Sequence, residues 1–475
     1  MASFGGGAAA AERGITSPGI LFYLIAPVKH STLEDVPPYV TQAVPWFFAM
    51  IFGELLVSAL QGRKTLARRH NLKEALCSIS LGILSQVWGI PIAAAGLRAY
   101  CYLYANYALW KLPPDDSYLC WGLGLLGVDF AYYVFHRFSH EFHLFWMGHS
   151  VHHSGEFYNV ATALRQSALS TPGSSIVYLP LAVLGLPPPA FLTHKALNLL
   201  YQYWIHTETI GDLGPLEYIL NTPSHHRVHH RPGGEANYAG VLIIWDRFFG
   251  TFRAEGEKQV DRYGLGRPLG TFDPIYANFC HADRVLPTIG WSFIFRRRLV
   301  RQWRVSLREL IKPLPSNRMG VFSSGPAEVV EGEPLSTNET LTAKWRRDKY
   351  YGSQPPTSSG RGLIEAIYIV LQTLIALGVY FGFEGRLKKH GAYDPTVYLL
   401  GVWVCLTLCS LGRLADGDKS GRKLEWTRLL MLLPAALAVH ETDKRPLVGA
   451  ASLVALWAGV GRGWWWVAPK AAKSE

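Results

Sequence analysis

Twelve of the chain's 17 histidines fall between residues 136 and 230 of 475. They come in three groups. The first is HxxxH, His136 and His140, in "GLLGVDFAYYVFHRFSHEFH". The second is "HSVHH", holding His149, His152 and His153, and the third is "HHRVHH", holding His225, His226, His229 and His230. Neutral imidazole is a good ligand for iron, zinc and copper. A structural zinc closes its shell with about four ligands. The eight box residues His136, His140, His149, His152, His153, His226, His229 and His230 are enough for two metals, and His206 in "QYWIHTE" is a candidate ninth ligand. An all-nitrogen cage leaves the metal charge uncompensated. The acids beside the groups, Asp129, Glu141, Glu156 and Glu208, are the candidates to offset it, read as acceptors for imidazole N–H groups. His143 and His225 flank the boxes and rank below the ligand set. His194, mid-way along an apolar block, reads as a packed histidine.

These residues need elements that bring them together. Asp129, Tyr133, His136 and His140 are spaced 4, 3 and 4, which puts them on one face of a helix. Between the second and third boxes lies "SSIVYLPLAVLGLPPPAFLTHKALNLLYQYWI", interrupted by Pro187, Pro188 and Pro189. Two helical arms around that turn make a hairpin that enters a membrane and returns to the same face. Tyr132, Tyr133, Tyr203 and Trp204 are candidates to line a lipid path. The apolar share is 49% and the charged share only 17%. Apolar residues run in blocks at 44–60, 75–108, 118–135, 176–205, 362–383, 394–412, 425–439 and 446–467. Several reach the roughly 17–25 residues that a helix needs to cross a bilayer. The fold class is therefore all-α: a polytopic membrane helical bundle, with the histidine-rich di-metal site facing the cytosol and a separate C-terminal helical block.

The net charge of +11 reads as membrane topology rather than nucleic-acid binding, because the arginines and lysines cluster in short segments between apolar blocks. "WSFIFRRRLVRQWRVSLREL" has the composition of a helix lying on an anionic leaflet. The six cysteines form no CxxC pair and read as free thiols. "MASFGGGAAAAERG" has no signal-peptide pattern, so the endoplasmic reticulum is the default membrane, with insertion led by an internal helix. The expected organisation has four parts. Residues 1–115 are N-terminal membrane segments with a basic loop, and 116–285 are the catalytic core. Residues 286–361 are an interfacial basic helix and linker, and 362–475 are C-terminal transmembrane helices with almost no polar candidates for chemistry. The sequon at Asn338 is expected to stay unused on the cytosolic side.

The HxxxH, HxxHH, HxxHH pattern on a membrane chain resembles the fatty acid hydroxylase superfamily of non-haem di-iron enzymes. The longer stretches "LGVDFAYYVFHRFSHE", "HHSGEFYNVATALRQSAL", "LLYQYWIHTETIGDLGPLEYILNTPSHHRVHH" and "NYAGVLIIWDRFFGTFRAE" are similar to the branch that acts on alkylglycerols. The likeness begins near "LEDVPPYV" and is expected to fade after about residue 285, with a weaker likeness in the C-terminal helices. It implies the box histidines as ligands of two iron ions (with zinc as a possible substitute), O2 and tetrahydrobiopterin as co-reactants, and a membrane lipid as substrate. It also implies hydroxylation of the carbon beside the ether oxygen. Two alternatives stand beside it: a sibling hydroxylase or desaturase acting on sterols, sphingoid bases or acyl chains, and a zinc-loaded membrane protein. The C-terminal helices leave dimerisation, lipid delivery and anchoring open.

Overall fold

The structure, a computed structural model, describes residues 18–23, 32–112, 118–231, 234–256, 263–265, 269–285, 360–390, 395–416 and scattered positions from 418 to 431. The basic stretch 291–310, the linker with Asn338 and the block 446–467 lie outside the described residues. The chain divides into two compact units, residues 1–359 and 360–475. Among the described residues the secondary structure is helical, with an isolated bridge between Leu220 and Leu242. Five helices among the described residues are long and apolar enough to cross a bilayer: Tyr39–Leu60, Leu72–Tyr107, Tyr118–Glu141, Ala366–Leu387 and Val397–Ala415. This is the all-α, multi-pass membrane class that the apolar blocks predict.

In the first unit, α1 (Tyr39–Leu60) and the short α2 (Arg63–Arg69) precede the long α3 (Leu72–Tyr107). Asn71 caps α3 by accepting from the Glu74 N–H at 3.2 Å. The 36 residues of α3 span about 54 Å at 1.5 Å per residue, well beyond a bilayer core of about 30 Å. Next come α4 (Tyr118–Glu141) and α5 (His143–His149). The hairpin is present as α6 (Thr171–Val183) and α7 (Pro188–Trp204), and both arms pack on α4. Their 13 and 17 residues reach only about 20 and 26 Å, too short to cross singly.

Two kinds of residue make the hairpin turn. Pro188 and Pro189 occupy the first positions of α7, where a missing N–H costs nothing. Gly185 has φ +89°, and a Cβ there would lie 1.8 Å from the Trp110 carbonyl oxygen. Near the turn Tyr100 donates to the Leu186 carbonyl at 2.9 Å, and its ring stacks on Phe191 at 4.1 Å. The unit continues through α8 (Pro223–His230), α9 (Ile244–Phe249) and α10 (Pro274–Val285).

The second unit contains α11 (Gly360–His390) and α12 (Pro395–Ala415). It also holds a buried polar cluster. Glu425 and Arg428 are fully buried and paired. Arg428 Nε donates to Glu425 at 2.7 Å and its terminal nitrogen to Gln372 at 2.8 Å. Ser410 and Tyr368 also donate to Glu425. Scattered single polar residues in an apolar sequence gave no sign that they meet.

Candidate metal centre

The histidines of the boxes stand at the C-terminal ends of helices. His136 and His140 are one turn apart in the last turns of α4. An extended residue, Phe142, breaks the chain into α5, which ends on His149. A 3-10 turn then carries His152 and His153. His206 follows the end of α7, and α8 ends on His229 and His230. The carbonyl end of a helix bears partial negative charge, so these positions suit cations.

Nine imidazoles gather into two clusters. His136, His140, His149, His153 and His229 form one; His152, His206, His226 and His230 form the other. Within each cluster the candidate ligand atoms lie within 4.8 Å of one another. All nine residues are buried. They are the eight box residues and His206, but the boxes do not map one to a cluster. His152 and His153 are adjacent, with ring planes 89° apart, and belong to different clusters. On α8, His226 and His230 share a face four residues apart, while His229 turns to the other cluster. The His153 and His230 rings stack at 4.3 Å where the clusters meet.

The hydrogen bonds fix which nitrogen is free. Nδ1 of His136 faces the Tyr238 carbonyl at 2.7 Å, and Nδ1 of His229 that of Ala236 at 2.8 Å. Nδ1 of His152 faces the Arg165 carbonyl at 3.2 Å, and Nδ1 of His206 that of Gln202 at 2.6 Å. A carbonyl only accepts, so each of these Nδ1 atoms carries the proton and each Nε2 a lone pair. Yet Nε2 of His206 lies 3.2 Å from Nε2 of His152. Two bare lone pairs at that distance repel unless a cation lies between them. Similar approaches join His136 to His149 at 2.9 Å and His206 to His226 at 2.9 Å. The donor set therefore fits metal ions in both clusters.

Burial keeps these imidazoles neutral. It holds His149, His152, His153, His226, His229 and His230 well below the ordinary imidazole value, and neighbouring imidazoles lower them further. His206 is pushed down to about 3 by burial, against the opposing bond to Gln202.

Asp129, Glu141 and Glu208 bond groups other than the clustered imidazoles. Asp129 accepts from Asn198 at 2.6 Å, from the Val241 and Leu242 N–H groups at 2.8 and 2.9 Å, and from Trp245 at 3.1 Å. Glu141 pairs with Arg137 at 2.7 Å. Glu208 lies 3.3 Å from Arg69 and accepts from Tyr263 at 3.1 Å. Glu156 enters through its main chain, donating to Glu74. Main-chain carbonyls, rather than these carboxylates, receive the four imidazole protons. Carbonyls give the same orientation without adding charge, and no sequence signal marks them.

The flanking histidines stay outside both clusters. His225 lies 3.5 Å from Glu217, and His194 bonds Tyr23 beside the edge of Trp121. His143 opens α5. Of the proposed lipid-path residues, Tyr132 has its ring 5.3 Å from that of His136. The Tyr133 hydroxyl meets Thr251 at 3.1 Å, Tyr203 donates to the Phe47 carbonyl at 2.9 Å, and Trp204 lies 5.4 Å from Phe22.

Sequence reasoning missed two carboxylates from the N-terminal helices. Glu74 accepts from the Phe157 N–H at 3.2 Å as well as from that of Glu156. Glu54 accepts from the Val160 N–H at 2.9 Å and from the Thr207 hydroxyl. Both brace main chain that follows a cluster histidine. A lone acid within an apolar helix, as at Glu54, is the signal that would have found one of them.

A fatty acid hydroxylase family model matches residues 121–251, a span that includes all nine clustered histidines. The chain is 41% identical over 420 residues to human (Homo sapiens) alkylglycerol monooxygenase, covering 87% of this chain and 86% of that one. It is 38% identical over 419 residues to the Danio rerio protein of the same name, covering 87% and 86%. An ornithine lipid hydroxylase, OlsE, of Rhizobium tropici is 34% identical over 224 residues, covering 44% of this chain and 67% of that one. No solved structure matches. With 87% of the chain aligned, the likeness reaches past residue 285, into the part where a weaker one was expected.

Proposed function

The chain belongs to the alkylglycerol monooxygenase family, and from that premise we propose that it is a di-iron ether-lipid monooxygenase of the endoplasmic reticulum membrane, its site facing the cytosol. The observation that carries the metal reading is the set of neutral Nε2 lone pairs converging in two clusters. A bound iron pair would supply activation of O2 toward the C–H bond beside the ether oxygen, with a reduced pterin as the electron source.

The chain's own part is ligation, orientation and exclusion of water. Carbonyls of Tyr238, Ala236, Arg165 and Gln202 hold the Nδ1 protons, so the rings cannot flip their donors. His136, His140, His149, His153 and His229 would hold one iron, and His152, His206, His226 and His230 the other. Asp129 and Asp246 take up main-chain N–H groups from residues 238–242, fixing the Tyr238 carbonyl that orients His136. The substrate carbon beside the ether oxygen gains a hydroxyl, while the second oxygen atom leaves as water with two electrons and two protons. The resulting hemiacetal breaks its carbon–oxygen bond to give a fatty aldehyde and a glycerol hydroxyl.

Membranes holding the full chain, supplied with reduced tetrahydrobiopterin and an alkylglycerol, should release fatty aldehyde with matching O2 consumption. Turnover on a sterol or a free acyl chain with no aldehyde from the ether lipid would move the assignment to a sibling hydroxylase. Tightly held zinc with no O2 consumption on any lipid would remove the oxidase reading, provided that iron loading restores nothing.

A further inference from the structure

One face of α4 runs Leu119, Leu123, Leu126, Phe130 and Tyr133, spaced 4, 3, 4 and 3. The first three are exposed, as the lipid side of a spanning helix is. The last two are covered by α9: Phe130 meets Trp245 at 5.0 Å and Phe249 at 5.9 Å, and Tyr133 meets Phe249 at 5.4 Å. The outer surface of that cover is largely apolar, with Arg247 the exposed charge on α9. Phe248 is 80% exposed, and Leu216, Tyr218, Ile219 and Phe249 are exposed beside it. The Gly214–Tyr218 turn and α9 are tied by the Leu220–Leu242 bridge and by Arg247. That guanidinium donates to the Glu217 carbonyl at 3.0 Å and lies over the Phe252 ring at 3.7 Å.

This segment is largely irregular backbone lying beside the middle of a spanning helix. Such backbone is tolerated within a bilayer only where its polar groups are satisfied by protein. Here they are. Asp129, mid-way along α4, takes the Val241 and Leu242 N–H groups and the Trp245 indole. The Ile243 N–H goes to the Ile219 carbonyl at 2.9 Å, and the Asn221 N–H to that of Val241 at 2.7 Å. Asn221 Nδ2 donates to the Ala239 carbonyl at 2.6 Å.

We propose that the Gly214–Tyr218 turn and α9 form a lip sunk into the acyl region of the leaflet that lower α4 contacts, with Phe248, Leu216 and Ile219 against lipid chains. The occupant is the bilayer because α9, which carries the patch, packs on the same face of α4 whose upper part, Leu119, Leu123 and Leu126, is exposed as a lipid side. The proposal stands apart from the reaction assigned above, since it needs neither metal nor turnover.

The test places a nitroxide at Phe248→Cys in full-length protein whose native cysteines are replaced, reconstituted in phosphatidylcholine vesicles. Collision rates with O2 and with a water-soluble nickel chelate are compared with those at Leu123→Cys. Dominance of O2, as at position 123, is the expected result. Dominance of the nickel chelate would put the lip in water and overturn the proposal. Low rates with both would mean that protein, such as a second copy, covers it, and would overturn the proposal equally. If Phe248→Cys does not fold, Leu216→Cys and Ile219→Cys give the same reading.

Discussion

At the scale of single residues, the centre depends on imidazoles that stay neutral. Folded values depressed by burial and by neighbouring rings mean that the unfolded chain binds protons first as pH falls. Stability and metal retention are therefore complete above about 6.5, the ordinary imidazole value, and decline below it. Metal content and melting temperature measured from pH 7.5 down to 5 should fall together below that point; a flat profile would contradict the burial argument. His153→Ala and His229→Ala remove ligands from the five-membered cluster. Each should lower activity by more than the roughly 10–100-fold typical of losing a ligand's outer partner, whereas His143→Ala should stay near the parent. The clustered residues were legible because imidazole at this density has few other uses. Their division between clusters was not, since HxxHH does not say that a 3-10 turn will send His152 and His153 apart.

The elements show what the side chains of spanning helices do besides span. Asp129 looks in sequence like a metal-site acid, yet it serves the main chain of another segment. Asp129→Ala strands the Val241 and Leu242 N–H groups, each at about 1–3 kcal/mol. A melting curve should show that loss even in metal-free protein, where a role confined to the metals would leave stability unchanged. The hairpin was readable from its proline run, because proline disrupts a helix interior and suits its first turn. The glycine that lets it turn was not readable, since the need arises from Trp110 of another segment. Gly185→Ala forces a positive φ on alanine and a clash with backbone. It should destabilise by more than the ~1 kcal/mol that the same change gains at a compatible site, read as lower yield and melting temperature.

On the scale of the whole molecule, length and hydropathy revealed the spanning helices, because a bilayer imposes one crude requirement on every one of them. They hid the polar cluster of the second unit, which exists only once α11, α12 and residues 425–428 are folded together. Arg428→Met leaves Glu425 buried without its cation and should cost about 3–5 kcal/mol. The double change Glu425→Leu with Arg428→Met should recover much of that loss in a thermal melt. The adjacency of His152 and His153 reaches furthest. One peptide unit joins the two nests of nitrogen, so ordering either tethers the other's ligand in place. Uptake should then be cooperative: titrated iron should fill molecules in twos, and native mass spectrometry should find singly loaded protein scarce at half saturation.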